Sequence, residues 1–164
     1  MDLILFFLSL LPISVISINF FSIISSFIYQ KYTYPQNLRP QFDPQFQPTC
    51  SLIIAVKGVS PTLKKHLASF LHQKYPNYQL FFTVESQTDP AYSLIKKLIS
   101  HYPHAQLVVS QLSHSCSQKN QNILTAIQKI NNPEILAFAD ADITVAENWL
   151  SELILPLSNP EITA

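Results

Sequence analysis

The chain has 164 residues, no net formal charge, a single arginine (Arg39) and a single glycine (Gly58). The absence of a basic stripe excludes a nucleic-acid-binding sequence. One glycine excludes a dinucleotide-binding fingerprint and a P-loop, which need several so that backbone can approach phosphate; any nucleotide bound here must be neutralised by metal and lysine.

Leu3 to Tyr29 is almost unbroken apolar sequence, interrupted by Pro12, Asn19 and serines. About 20 apolar residues cross a bilayer. A cleaved signal peptide wants a basic start and a shorter apolar core, whereas Asp2 is the only early charge. Residues 1–30 are therefore expected to form one uncleaved transmembrane helix. Lys31 and Arg39 follow with no acid before Asp43, so the positive-inside rule places the remainder in the cytosol. Residues 31–49, with Pro35, Pro40, Pro44 and Pro48, read as an extended, semi-rigid linker.

Residues 50–164 alternate between strand and helix patterns. Ser51 to Val56 reads as a buried strand. Ser60-Pro61 offers an N-cap and a first-turn proline, and Leu63, Leu67, Phe70 and Leu71 give a helical stripe. A turn at Tyr75 to Tyr78 leads to a second strand, Gln79 to Val84, and Asp89-Pro90 marks the next helix start. Ala105 to Val109 is a third strand; Gln118 to Ile130 is a helix with Ile123, Leu124 and Ile127 on its apolar face. Ile135 to Ala139 is a fourth strand, and Glu147 to Leu155 a last helix. This order predicts an α/β domain with a mostly parallel sheet. Cys50 and Cys116 form no CxxC and read as reduced or buried thiols; His101 and His104, around Pro103, read as solvated.

The fourth strand carries the strongest signal. Its apolar run, Leu136 to Ala139, reads as buried on both faces and ends in Asp140-Ala141-Asp142. In extended chain, residues i and i+2 point to one side, roughly 6–7 Å apart. Two hard carboxylates there suit magnesium or manganese, although a strand-end turn also accounts for them. Three other polar groups follow strand ends, where open α/β sheets bind ligands: Lys57-Gly58, Glu85 to Pro90, and Ser115 to Asn122. Asp89 is equally well explained as a helix N-cap, and Lys119 and Asn122 as helix surface.

In combination and order, these residues resemble the family 2-like glycosyltransferases of the GT-A fold, within the branch of ceramide glucosyltransferases and bacterial hopanoid-type lipid glycosyltransferases. The resemblance is carried by Val56 to Pro61, Phe70 to Tyr78, Thr83 to Ala91, Lys119 to Asn122 and Asp140-Ala141-Asp142. It implies a GT-A, Rossmann-like, mostly parallel sheet, incomplete here, preceded by one membrane helix. It implies donor-binding roles for Lys57, Glu85, Asp89, Lys119, Asn122 and Asp140. It also implies a divalent metal, Mg or Mn, on Asp142 with Asp140. The implied reaction is inverting transfer of a hexose, from a UDP-linked or similar nucleotide sugar, to a membrane lipid such as ceramide. The same resemblance puts the general base, a third aspartate, and a QxxRW-type motif beyond Ala164. On that reading residues 50–164 are the nucleotide-sugar-binding half and this chain alone is inactive. The alternative is a donor-binding remnant, or one half of a split enzyme completed by a second chain. A receiver-like module fits less well, because Lys57-Gly58 stands where receivers place acids.

Overall fold

A computed structural model describes residues 2–28, 43, 45–160 and 162, with side chains of the first helix from Val15 onward. Two compact units divide the chain, residues 1–41 and 42–164.

The first unit contains helix α1, Asp2–Ile28, 27 residues long. Among the described residues no helix is long and apolar enough to cross a membrane, so the predicted span over residues 1–30 is not met by the structure. The described side chains cover residues 15–28 only, shorter than a bilayer crossing. Those apolar side chains, among them Ile16, Phe20, Phe21 and Phe27, are exposed. Lys31, Arg39 and most of the predicted linker lie outside the described residues. The end of the linker is docked, not free: Phe46 packs on the core, Tyr75 Oη donates to the Pro48 carbonyl at 2.6 Å, and Asn77 Nδ2 to that of Gln47 at 3.0 Å.

The second unit alternates as predicted: β1 Cys50–Ala55, α2 Leu63–Leu71, β2 Tyr78–Val84, α3 Pro90–Leu98, β3 Ala105–Val109, α4 Gln118–Ile127, β4 Ile135–Asp140, α5 Trp149–Ile154 and a 3-10 turn, Leu155–Ser158. The sheet has the order β3-β2-β1-β4 and is parallel throughout. Cys50 faces both Tyr78 and Ile135, and Ala55 faces Asp140.

Strand residues alternate between two cores because successive side chains point to opposite faces. Leu52, Ile54, Leu80 and Phe82 pack with Leu67 and Phe70 of α2, Ile95 of α3, and Leu150 and Ile154 of α5. Ile53, Phe81 and Val108 meet Ala126 of α4 on the other side. The β-branched and aromatic strand residues suit this doubly covered sheet.

One expectation is corrected at β4. It is an edge strand, and α4 packs mainly on β1, β2 and β3. Register places Phe138 beside Ile53 on that face, where Phe138 is 50% and Leu136 38% exposed. Only Ala137 is buried. Glu134 and Thr49 clasp the starts of β4 and β1: Glu134 Oε2 accepts from Thr49 N at 2.7 Å and Thr49 Oγ1 at 2.9 Å.

Helix starts follow capping chemistry unevenly. Asp89 caps α3 by accepting from Ala91 N at 2.8 Å, with Pro90 in the first turn. Ser60-Pro61 does not start α2: the helix begins at Leu63, and Thr62 at the cap position makes no side-chain capping bond. α4 ends at Ile127 and α5 begins at Trp149, both shorter than their apolar patterns suggest.

Candidate functional site

The chain runs outward from β1 to β2 and β3, then returns to β4 on the far side of β1. Such a reversal opens a crevice at the carboxyl ends of the two flanking strands. Residues leaving β1 and β4 meet there around a cavity of about 630 Å³, whose lining includes Lys57, Gly58, Val59, Lys119, Asp140 and Asp142. That volume lies within the usual range of small-molecule sites, about 300–1,000 Å³.

Each side chain reaches the cavity for a local reason. Lys57 leaves the buried β1, and its Nζ lies 3.3 Å from Glu85 Oε2 at the end of β2. Asp140 is the last residue of β4, and Lys119 comes from the first turn of α4. Their Nζ···Oδ1 distance is 2.5 Å, with the side chains 59% and 62% exposed. A pair so exposed is held weakly, so both partners can be redirected by a ligand. Asp142 is exposed and, among the described residues, makes no hydrogen bond or ion pair.

Two predicted donor residues take other positions. Asp89 is buried and is not among the residues that line the cavity. Its Oδ1 accepts from Gly58 N at 3.0 Å as well as from Ala91 N, and its Oδ2 lies 3.2 Å from Gly58 N. The carboxylate thus pins the Lys57-Gly58 loop onto the start of α3. Gly58 has φ +63°, a left-handed conformation that glycine adopts at little cost. Asn122 is also buried. Its Oδ1 accepts from Ser110 Oγ at 2.5 Å and Gln118 Nε2 at 2.8 Å, beside a smaller hollow of about 170 Å³ that Lys57 and Lys119 also line. Glu85 reaches the cavity only through Lys57.

Sequence reasoning missed Gln118 and Ser110. The available signal was Ser117, whose hydroxyl caps α4 by accepting from Asn120 N at 3.2 Å; a cap there puts Gln118 in the first turn, facing the end of β3. The loop after the two acids is also anchored. Gln73 donates to the Ala146 carbonyl and accepts from Leu150 N, both at 2.9 Å, and Ser69 Oγ accepts from Val145 N at 3.1 Å.

Among the described residues no three His, Cys, Asp or Glu side chains converge on a possible metal position. Two carboxylates at a cavity mouth still fit Mg²⁺ or Mn²⁺. Such ions are commonly held by one or two carboxylates, with water and ligand phosphates filling the remaining positions.

Comparison with known proteins agrees with this layout. Residues 18–164 match glycosyl transferase family 21. The ceramide glucosyltransferase of Candida albicans is 27% identical over 136 residues, covering 75% of this chain and 25% of the relative. Ceramide glucosyltransferase 1 of Caenorhabditis elegans is 26% identical over 148 residues, covering 89% and 31%. The chain therefore spans about a quarter to a third of the length of these relatives. Among solved structures, the mannosyltransferase PcManGT of Pyrobaculum calidifontis, in complex with GDP-Man and Mn²⁺, superposes with a TM-score of 0.62 at 20% identity, over 74% of this chain and 35% of that one. TarS 1-349 of S. aureus with UDP-GlcNAc gives 0.50 at 16%, over 64% and 30%. These likenesses establish a shared GT-A-like fold. With the family match spanning both the sheet and the cavity residues, the chain belongs to glycosyl transferase family 21.

Proposed function

We propose that residues 50–164 form the donor-binding half of a membrane-anchored glycosyltransferase that moves a hexose from a nucleotide diphosphate sugar, UDP-linked, to a lipid acceptor of the ceramide or hopanoid type. The observation that carries this reading is the meeting of Lys57, Lys119, Asp140 and Asp142 around one cavity at the reversal of strand order.

The donor's diphosphate gains charge as the sugar departs, and a divalent metal supplies Lewis-acid stabilisation of that charge. Asp142, unpartnered, and Asp140 are the residues that would hold the metal. Lys119 exchanges Asp140 for a phosphate oxygen, and Lys57 brings a second point charge from its resting place on Glu85. Asp89 and Asn122 contribute by holding the Lys57-Gly58 loop and the start of α4 in place. The two acids that line the cavity, Asp140 and Asp142, are both taken up by the donor side. The acceptor's general base is accordingly assigned to the part of the family's length that this chain does not span, whether on the same polypeptide or on a second chain. The exposed edge of β4, with Phe138 and Leu136 uncovered, favours completion by further structure over a self-sufficient remnant.

Anchoring rests on the amino-acid sequence alone, which is almost unbroken apolar from Leu3 to Ile28 and has no Asp, Glu, Lys or Arg there. A cytosolic domain follows from Lys31 and Arg39.

Titration calorimetry of the full chain in detergent with UDP-glucose tests the donor site. Binding is expected with manganese and not without it, with no turnover. Asp142→Asn is expected to weaken metal-dependent binding about ten-fold or more, since an anionic ligand of the metal is lost. Equal binding with and without metal would remove Asp140 and Asp142 from the assigned role.

A further inference from the structure

Net charge is zero for the whole chain, but the fold sorts the charges. Neither α2 (LKKHLASFL) nor α3 (PAYSLIKKL) contains an acid, and no Asp or Glu occurs from Pro90 to Pro133. Four lysines, Lys64, Lys65, Lys96 and Lys97, are exposed on these helices. The described ion pairs use Lys57, Lys74 and Lys119, leaving those four without a counter-charge among the described residues. The two helices pack against each other and enclose a groove of about 570 Å³. Lys64, Lys97 and His101 stand around it, and Leu94, Leu98 and Tyr102 supply its apolar surface. Lys96 Nζ lies 5.8 Å from the Tyr92 ring centroid, so even this charge is partnered by an aromatic face and not by an acid.

We infer that the α2–α3 face docks on an anionic lipid surface, with the lysines at the headgroups and the groove taking up apolar lipid surface. Charge complementarity selects a negatively charged partner, and the leucine-lined groove selects lipid over a free anion. Nucleic acid is disfavoured because the face has no arginine and its groove is apolar. This surface is separate from the donor cavity, so it stands or falls independently of the function proposed above.

The test uses the full chain in lipid nanodiscs of phosphatidylcholine alone or with about one-third phosphatidylserine, so that α1 meets lipid in both. Lysine acetylation by a water-soluble reagent is read by mass spectrometry, with exposed Lys129, beyond α4, as internal reference. Phosphatidylserine is expected to lower modification of Lys64, Lys65, Lys96 and Lys97 about five-fold and to leave Lys129 unchanged. About 0.5 M salt should reverse the protection. Lys64→Gln with Lys97→Gln, both at exposed positions, should abolish the protection of Lys65 and Lys96. Four outcomes would overturn the inference: equal modification in the two lipids, protection of Lys129 to the same degree, protection that persists in the double variant, or equal protection by inorganic phosphate or a short DNA duplex without anionic lipid.

Discussion

Asp89 gives the sharpest separation between holding the site and touching the donor. Its carboxylate is buried and accepts from the backbone N–H of Gly58 and of Ala91. Asp89→Ala removes a helix cap, a loss of about 1 kcal/mol. It also leaves the Gly58 N–H without its charged acceptor, a loss of about 2 kcal/mol. Together these predict about 3 kcal/mol of destabilisation, a fall of roughly 10 °C in the unfolding midpoint for a domain of this size. Asp142→Asn, at an exposed and unpartnered position, should leave the midpoint unchanged within about 0.5 kcal/mol while weakening metal-dependent donor binding. The assay is thermal unfolding of the full chain in detergent followed by Trp149 fluorescence, paired with calorimetry on each variant below its midpoint. The reasoning is refuted if Asp89→Ala unfolds at the parent temperature yet loses donor binding, because Asp89 would then be acting on the ligand directly.

Other outcomes follow from the same structure. Cys50 is buried and Cys116 exposed, and burial pushes the Cys50 thiol up to about 11; iodoacetamide at neutral pH should therefore modify Cys116 alone, as peptide mapping would show. Because the folded Cys50 keeps its proton above the value near 9.0 at which the unfolded thiol loses it, stability should fall as pH rises from about 9 toward 11. Conversely, burial holds His104 below its ordinary value of 6.5, so the unfolded chain binds the proton first. Stability should then decline as pH drops below about 6.5, and His104→Gln should flatten that part of the denaturation profile. Phe138→Ser on the open edge should reduce aggregation measured by light scattering while changing stability by less than about 1 kcal/mol.

Local chemistry was the legible part of this chain. The third strand, Ala105–Val109, and the Asp89-Pro90 helix start lie where residue pattern and capping put them. Lys57, Lys119, Asp140 and Asp142 were legible as one cluster because each follows a strand in a parallel sheet. Burial at β4 was not legible: an apolar run records what a strand is able to bury, while the number of its neighbours is a property of strand order. Nor does sequence say which way Asp89 points, since an N-cap and a ligand contact require the same residue. His104 illustrates the same limit. Next to Pro103 it read as solvated, yet its Nε2 lies 3.0 Å from Tyr78 Oη, a partner 26 residues away that no local pattern reveals.

The clasp between Thr49 and Glu134 has a consequence for the order of folding. β1 and β2 join residues 28 apart in the chain, Cys50 with Tyr78, and β2 reaches β3 over a similar distance, Leu80 with Ala105. β4 must return across 85 residues, the separation that the Thr49–Glu134 bond closes. A closure about three times longer carries about 1 kcal/mol more entropic cost, enough to make β4 the last strand to pair. Until it does, Asp140 and Asp142 have no fixed position opposite Lys57. The cavity at the β1–β4 reversal is thus completed in the final docking step, and a nucleotide sugar bound there, as proposed, would act as a late clamp on a sheet whose other three strands had already assembled.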